Sequence, residues 1–188
     1  MLAMPILDSE TSIHPPNLLS EEMQCDRGER RWFVFYTKAR QEKAFARQLV
    51  GMDIPFFLPL VPKENLIRGK KVTSLIPVFG GYIFLFVTEE ERVQALTTNR
   101  ISTILNVDDQ DQLAYDLGNV EQLIRADAPL TVERRLIAGQ KVRIKAGPME
   151  GLEGVIEKRR GQSVLYVAVT MLQQSATLEL DDYLLEPC

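Results

Sequence analysis

The sequence predicts an α+β protein in two parts: an antiparallel sheet with helices packed on it, then a small β-barrel. Two observations carry this. From Trp32 to Ala126 the hydrophobic periods run strand, helix, strands, helix, strand and a closing helix, the order of helices laid against an antiparallel sheet. From Gly139 onward the texture changes to short β-rich runs, the earlier ones separated by glycines, as in a small barrel. The 188 residues leave room for one medium domain or two small ones.

Residues 1–31 read as a flexible tail, with Pro5, Pro15 and Pro16 among mixed charge and no sustained period beyond a short helix near Leu18 to Met23. His14, the sole histidine, falls in this tail and is expected to be solvated and idle. The first domain spans 32–126. Trp32 to Tyr36 is an apolar run suited to a central strand. A helix follows from about Ala39. Phe45, Ala46, Leu49 and Val50 form its buried face, Arg40, Lys43 and Arg47 lie opposite, and Gly51 is its stop. Ile54 to Val61 is broken by Pro55 and Pro59 and reads as an edge strand or irregular extended piece. Leu66 to Val72 places apolar arms around a glycine-containing tip, a hairpin signal. Gly80-Gly81 marks a turn before the strand Tyr82 to Val87.

Thr88-Glu89-Glu90-Glu91 fits a capping box, in which Thr88 accepts from first-turn amides and Glu91 reaches back. Val93 and Leu96 are expected on the buried face of that helix and Asn99 at its end. Ile101 to Val107 reads as a strand, and Asn119 to Ala126 as a short helix with Val120, Leu123 and Ile124 inward. A linker over 127–138 precedes a second domain over 139–188. Its strands are Val142 to Ile144, Val155-Ile156, Val164 to Val169 and Thr177 to Leu180.

Composition excludes several classes. The net charge is −4 and the pI is near 5.2, whereas a protein held to nucleic acid mainly through phosphates is usually basic. Cys25 and Cys188 form no CxxC pair, so no metal cage is expected. No apolar run is of membrane-spanning length, the best being Ile83 to Val87, and the amino terminus lacks a secretory pattern, so a cytoplasmic location is expected. An enzyme would need a nucleophile–base pair or a metal cluster. HExxH and GxSxG are absent, and the acid pairs Asp108-Asp109 and Asp181-Asp182 read as solvated. No cofactor is implied. The glycines near Gly154 do not form a P-loop, because no Lys-Ser or Lys-Thr follows and the flanking period is β.

The segment from Gly139 to Ile156 is the most specific. It reads Gly139-Gln140-Lys141-Val142-Arg143-Ile144-Lys145-Ala146-Gly147-Pro148-Met149-Glu150-Gly151-Leu152-Glu153-Gly154-Val155-Ile156. A strand with Val142 and Ile144 inward meets a tight Gly147-Pro148 turn, and Gly151 and Gly154 lead into a second strand. This resembles the KOW motif, which implies an SH3-like barrel. Trp32 to Lys38 resembles the opening strand of the NusG amino-terminal domain. Pro77-Val78-Phe79-Gly80-Gly81-Tyr82-Ile83-Phe84 is similar to that domain's Pro-x-Phe-Pro-Gly-Tyr-x-Phe signature, with Gly80 for the usual proline. Met171 to Leu180 resembles the family's closing strands, with Gln173-Gln174 for a commoner Phe-Gly.

The resemblance to the NusG family implies a non-enzymatic transcription elongation or antitermination factor. Its first domain would bind the clamp of RNA polymerase and reach across the cleft, and its second would recruit a termination factor or ribosomal protein. By position, Tyr36, Phe79 and Tyr82 are the expected polymerase-facing residues, although strand alternation requires some of these rings to be core. Lys38, Arg40, Arg47 and Arg100, with Arg68, Lys70 and Lys71 at the hairpin tip, are candidates for weak DNA or RNA contact. The short segment from Gly51 to Pro59 and the run Leu66 to Lys71 resemble the specialised RfaH branch more than housekeeping members. The alternatives are a general housekeeping NusG factor and a KOW-type ribosome- or RNA-binding protein. Alternation of β-branched residues in 139–188, with Gly147, Pro148, Gly151 and Gly154 inside any helix drawn through it, favours a barrel over a helical hairpin.

Overall fold

The computed structural model describes residues 10–127, 129–133, 139–180 and 185–188. In chain order the elements are β1 (Ile13–His14), α1 (Glu21–Cys25), β2 (Arg31–Thr37), α2 (Glu42–Gly51), β3 (Phe56–Phe57), β4 (Leu60–Ile67), β5 (Lys70–Pro77), β6 (Tyr82–Val87) and α3 (Glu89–Leu96). They continue with β7 (Ile101–Asn106), α4 (Gln110–Arg125), β8 (Thr131–Glu133), β9 (Gln140–Ile144), β10 (Glu153–Arg159), β11 (Gln162–Val169), a 3-10 turn (Thr170–Leu172), β12 (Gln174–Leu180) and β13 (Leu185–Pro187). The expected α+β class holds. No helix among the described residues is long and apolar enough to cross a membrane.

The first sheet is antiparallel with strand order β1-β3-β6-β2-β7. Val34 pairs with Phe84 and Phe35 with Ile83, and facing residues of an antiparallel pair share a side. On one side Trp32, Val34, Phe84 and Phe86 meet Leu113, Leu117, Val120 and Leu123 of α4. On the other, Phe35, Ile83, Leu85 and Val87 meet Phe45, Ala46 and Leu49 of α2. Both sides are covered, which is why β2 and β6 are nearly continuous apolar runs rather than alternating ones. The β4–β5 hairpin projects as its own two-stranded sheet, turning through Arg68 and Gly69, both at positive φ.

The second sheet is an antiparallel meander in the order β13-β9-β10-β11-β12-β8. Val142, Ile144, Leu152, Leu165, Val167, Val169, Ala176 and Leu178 fill its inner side and join the cluster that α4 shares with the first sheet. A Cβ on Gly154 would lie 2.6 Å from the Tyr166 carbonyl oxygen, so close passage of β10 over β11 requires glycine there. Residues 139–188 therefore build strands and not a helical hairpin over the described part.

Several expectations are corrected. Residues 10–31 are not a free tail: β1 pairs with β3, Leu18 is fully buried, and Gln24 accepts from the Trp32 indole at 3.0 Å. Residues 1–9 of the expected tail lie outside the described residues. His14 is engaged, with Nε2 2.8 Å from Asp53 Oδ1 and its ring stacked on Phe56. The closing helix is not a short piece from Asn119 but runs sixteen residues from Gln110, capped by Asp109, which accepts from the Gln112 amide at 2.9 Å. The Asp108-Asp109 pair is thus partly a capping device, while Asp181-Asp182 lies outside the described residues. The α3 capping box is present, but Val93 and Leu96 are 53% and 42% exposed and Ala95 faces the core. Val50 of α2 is likewise exposed. The segment read as linker contributes β8, paired with β12; its residues 128 and 134–138 lie outside the described residues.

Asp116 is the buried acid of α4. It accepts from the Thr170 amide at 2.8 Å and from Gln112 Nε2 at 2.7 Å, tying the helix to the turn after β11. Burial pushes its pKa above the ordinary 3.8, against the lowering effect of those two bonds and with a smaller push from Asp109. The folded protein therefore takes up this proton at higher pH than the unfolded chain, and the group's contribution to stability falls as pH rises from 3.8 through the raised value. Asp116→Ala, which leaves the Thr170 amide without its acceptor, is expected to cost about 1–3 kcal/mol in urea unfolding. Asp116→Asn is expected to remove the decline with pH. Identical pH slopes for the wild type and the Asn variant would show that this ionisation is not linked to folding.

Candidate partner-binding surfaces

Tyr36 and Tyr82 face each other across the β2–β6 ladder, with ring centroids 5.0 Å apart. They continue the side of the sheet that carries Trp32 and Val34, beyond the end of the core, so Tyr36 is 41% exposed while Tyr82 is half-buried. Gly81 makes the arrangement possible. It has φ +86, and a Cβ there would lie 2.5 Å from the Tyr36 ring; with no side chain, the ring rests on the backbone. The turn is fixed by Glu42 at the start of α2, which accepts from the Gly81 amide at 2.7 Å, and by the Thr37 amide donating to the Gly81 carbonyl at 2.8 Å.

Phe79 departs from the expectation of a polymerase-facing ring. It is 1% exposed and packs edge-on against Phe84. The turn Phe79–Tyr82, closed by the Tyr82 amide on the Phe79 carbonyl at 3.1 Å, directs Phe79 into the core and leaves Tyr82 at the rim. Beside the tyrosines is a cleft of about 410 Å³ lined by Tyr36, Val78, Gly80, Tyr82, Val132 and Gln174. The last two residues come from β8 and β12, so the second sheet forms one wall of the aromatic site.

The basic candidates fall into two groups. Lys38, Arg40, Arg47 and Arg100 belong to the β2–α2 junction, α2 and the start of β7. Lys38 Nζ donates to the Asn99 carbonyl and side-chain oxygens at 2.8 and 3.0 Å. Arg100 donates to Gln48 at 2.6 Å and to Gln41. Arg40 is exposed, at φ +60. Arg47 donates to Glu10 at 2.7 Å. The second group, Arg68, Lys70 and Lys71, is at the exposed hairpin tip, where Lys71 pairs with Glu64 at 3.3 Å. Val142 and Ile144 of the glycine-rich motif are buried in the second sheet, while Gly147 and Gly151 take positive φ around Pro148. Gly139 passes close to the Ile156 carbonyl.

With this geometry established, comparisons with known proteins add the following. Residues 30–117 match the family model described as transcription termination factor NusG. The match covers 88 of the 188 residues. The matched span takes in β2, the hairpin, Phe79 to Tyr82 and the first half of α4. A solved structure described as the crystal structure of the MjSpt4:Spt5 complex in conformation B is similar at 14% identity, covering 83% of this chain and 95% of that chain, with a TM-score of 0.27. A comparison with curated proteins gives no match.

Reasoning from sequence did not single out Glu10, Gln41 or Gln48, and read Asn99 only as a helix end, although these groups position Lys38, Arg47 and Arg100. Uncharged amides leave no distinctive pattern, and Glu10 lies in a segment without period. The tyrosines and Phe79 should separate experimentally. Phe79→Ser is expected to destabilise the protein by about 3–5 kcal/mol. Tyr36→Ser removes a rim contact and should cost less than about 1.5 kcal/mol. Chemical denaturation of both full-length variants measures this, and equal losses would mean that Tyr36 is a core residue.

Proposed function

We propose that the protein is a transcription elongation factor whose NusG-type domain binds RNA polymerase in its clamp region and favours elongation without chemistry of its own. The observation that carries this reading is the family match over residues 30–117, which contains an aromatic pair, Tyr36 exposed and Tyr82 half-buried, packed against Gly81. An exposed apolar patch with a polar rim is the anatomy of a protein–protein contact. A factor that binds one polymerase conformation better than another shifts the population toward it, suppressing pausing or termination with no catalytic group.

In this reading the second domain is a KOW module that recruits a further partner, a termination factor or a ribosomal protein. Lys38, Arg40, Arg47 and Arg100 give the first domain a weak contact with nucleic acid near the polymerase cleft. A role restricted to particular transcription units is favoured by the short connection from α2 to β3, in which Gly51 and Phe56 are separated by four residues.

Pull-down of core RNA polymerase by the full-length protein tests the proposal. Tyr36→Ala and Tyr82→Ala together are expected to weaken capture at least about tenfold, equivalent to about 1.4 kcal/mol, with little change in melting temperature. Undiminished capture by a folded double variant would remove the tyrosines from the interface. Absence of capture by the wild type would reject polymerase binding itself.

A further inference from the structure

The residues just ahead of the family match lie across the first domain as a strap. Ser12 Oγ donates to the Leu58 carbonyl at 2.8 Å, the Leu58 amide donates to the Ser12 carbonyl at 2.7 Å, and Ile13 and His14 extend the sheet beside Phe57 and Phe56. Two residues before the first of these bonds, Glu10 reaches α2. Its carboxylate oxygens lie 2.7 and 2.9 Å from one terminal nitrogen of Arg47, and Lys43 Nζ is 3.9 Å away. The carboxylate is largely covered, its side chain 17% exposed, whereas Arg47 remains 59% exposed.

Two further cations of the domain, at the β7 edge of the sheet, have uncharged acceptors. Lys38 is held by Asn99 and Arg100 by Gln41 and Gln48, all uncharged acceptors that orient a positive group and leave its charge in place. Lys43 and Arg47 are one helical turn apart, so both can reach a single anion. Glu10 is the anion they hold. A carboxylate and a phosphate present the same kind of charged oxygen acceptor to a guanidinium.

We infer that Glu10 is an internal competitor for phosphate, so that the strap sets how strongly Lys43 and Arg47 hold a nucleic-acid backbone. The inference rests on the nucleic-acid contact proposed above for Arg47 and extends it to Lys43. Ion pairs to a solvated partner contribute little, and Arg47 is 59% exposed, so a polyanion that engages Arg47 and Lys43 together displaces Glu10, while an isolated anion does not. The anchors at Ser12, Ile13 and His14 let Glu10 swing away without releasing β1. The device keeps an acidic protein off bulk nucleic acid and exposes two more cations where phosphate is already concentrated. Because binding to phosphate releases counterions, each cation freed for contact steepens the salt dependence of affinity.

The test uses the full-length protein and a short fluorescein-labelled single-stranded DNA, with anisotropy titrations at several salt concentrations. Glu10→Gln is expected to bind about two- to fivefold more tightly than wild type at low salt. Its slope of log affinity against log salt should be steeper by about 0.7 to 1.4, one to two phosphate contacts on a single strand. Lys43→Ala with Arg47→Ala should weaken binding and abolish the gain when combined with Glu10→Gln. Thermal melts report whether each variant is folded. Unchanged affinity and slope in folded Glu10→Gln would overturn the inference. If the Lys43/Arg47 variant still weakened binding, nucleic-acid contact at α2 would stand; if it did not, the inference and the contact proposed at Arg47 would both fall. A gain in capture of core RNA polymerase with DNA binding unchanged would assign the site to an acidic protein surface and also overturn the inference.

Discussion

Helix α4 has to satisfy two sheets at once, and most of the architecture follows from that. Leu113, Leu117, Val120 and Leu123 recur at the spacing of one helical face. They belong to the cluster that includes Trp32 and Val34 of the first sheet and Leu165 and Val167 of the second. Asp116 lies on the flank of this stripe, where the Thr170 amide needs an acceptor. At the first-sheet end, Gln110 accepts from the Trp32 amide at 2.6 Å and donates to the Trp32 carbonyl at 3.0 Å, taking the place of a strand partner for the start of β2. Tyr115, on the outer side, donates to Glu153 at 2.6 Å, and Gln122 donates to the Glu150 carbonyl at 3.0 Å. One helix thus supplies both apolar filling and the polar bonds that fix how the filling is entered.

This shared helix explains the character of the aromatic site. Tyr36 and Tyr82 lie on the side of the first sheet that α4 covers, but beyond the reach of its apolar stripe. The second sheet approaches there through Val132 and Gln174, because its packing on α4 brings β8 and β12 near that end. The two rings are therefore neither an accident of a frayed strand nor an open plane. They form one wall of a cleft whose opposite wall is the second sheet, and a ligand surface entering it meets both.

Local chemistry was legible where a few residues decide the outcome alone. The Thr88–Glu91 capping box, the hairpin around Gly69 and the glycine-separated strands after Gly139 each depend on backbone preferences written in adjacent residues. What was not legible depends on a partner distant in sequence. Val93 and Leu96 share a plausible apolar face, yet the eight-residue α3 turns Ala95 to the core, and a helix so short carries too few positions to choose. The start of α4 was hidden because Asp108-Asp109 read as a solvated pair, although Asp109 is a favourable helix cap. Leu18 is buried although Pro15 and Pro16 erase any period around it. Alternation required that some of Tyr36, Phe79 and Tyr82 be core, but only the fold of the Phe79–Tyr82 turn decides that Phe79 is.

The cation cluster shows the same division between what a residue is and what holds it. Lysine and arginine are visible in any sequence, but whether their charge is available depends on the acceptors around them. Here the acceptors of Lys38 and Arg100 are amides and a carbonyl from Asn99, Gln41 and Gln48, while Arg47 is held by a carboxylate. Amide acceptors fix geometry and leave the field of the cation intact; a carboxylate fixes geometry and cancels it. The difference matters most in a protein of net charge −4, where the overall field repels polyanions and any attraction must come from a local excess of positive charge. Lys38 and Arg100 thus keep their charge under neutral acceptors at one edge of the first sheet, while Arg47, toward the other edge, shares its charge with Glu10.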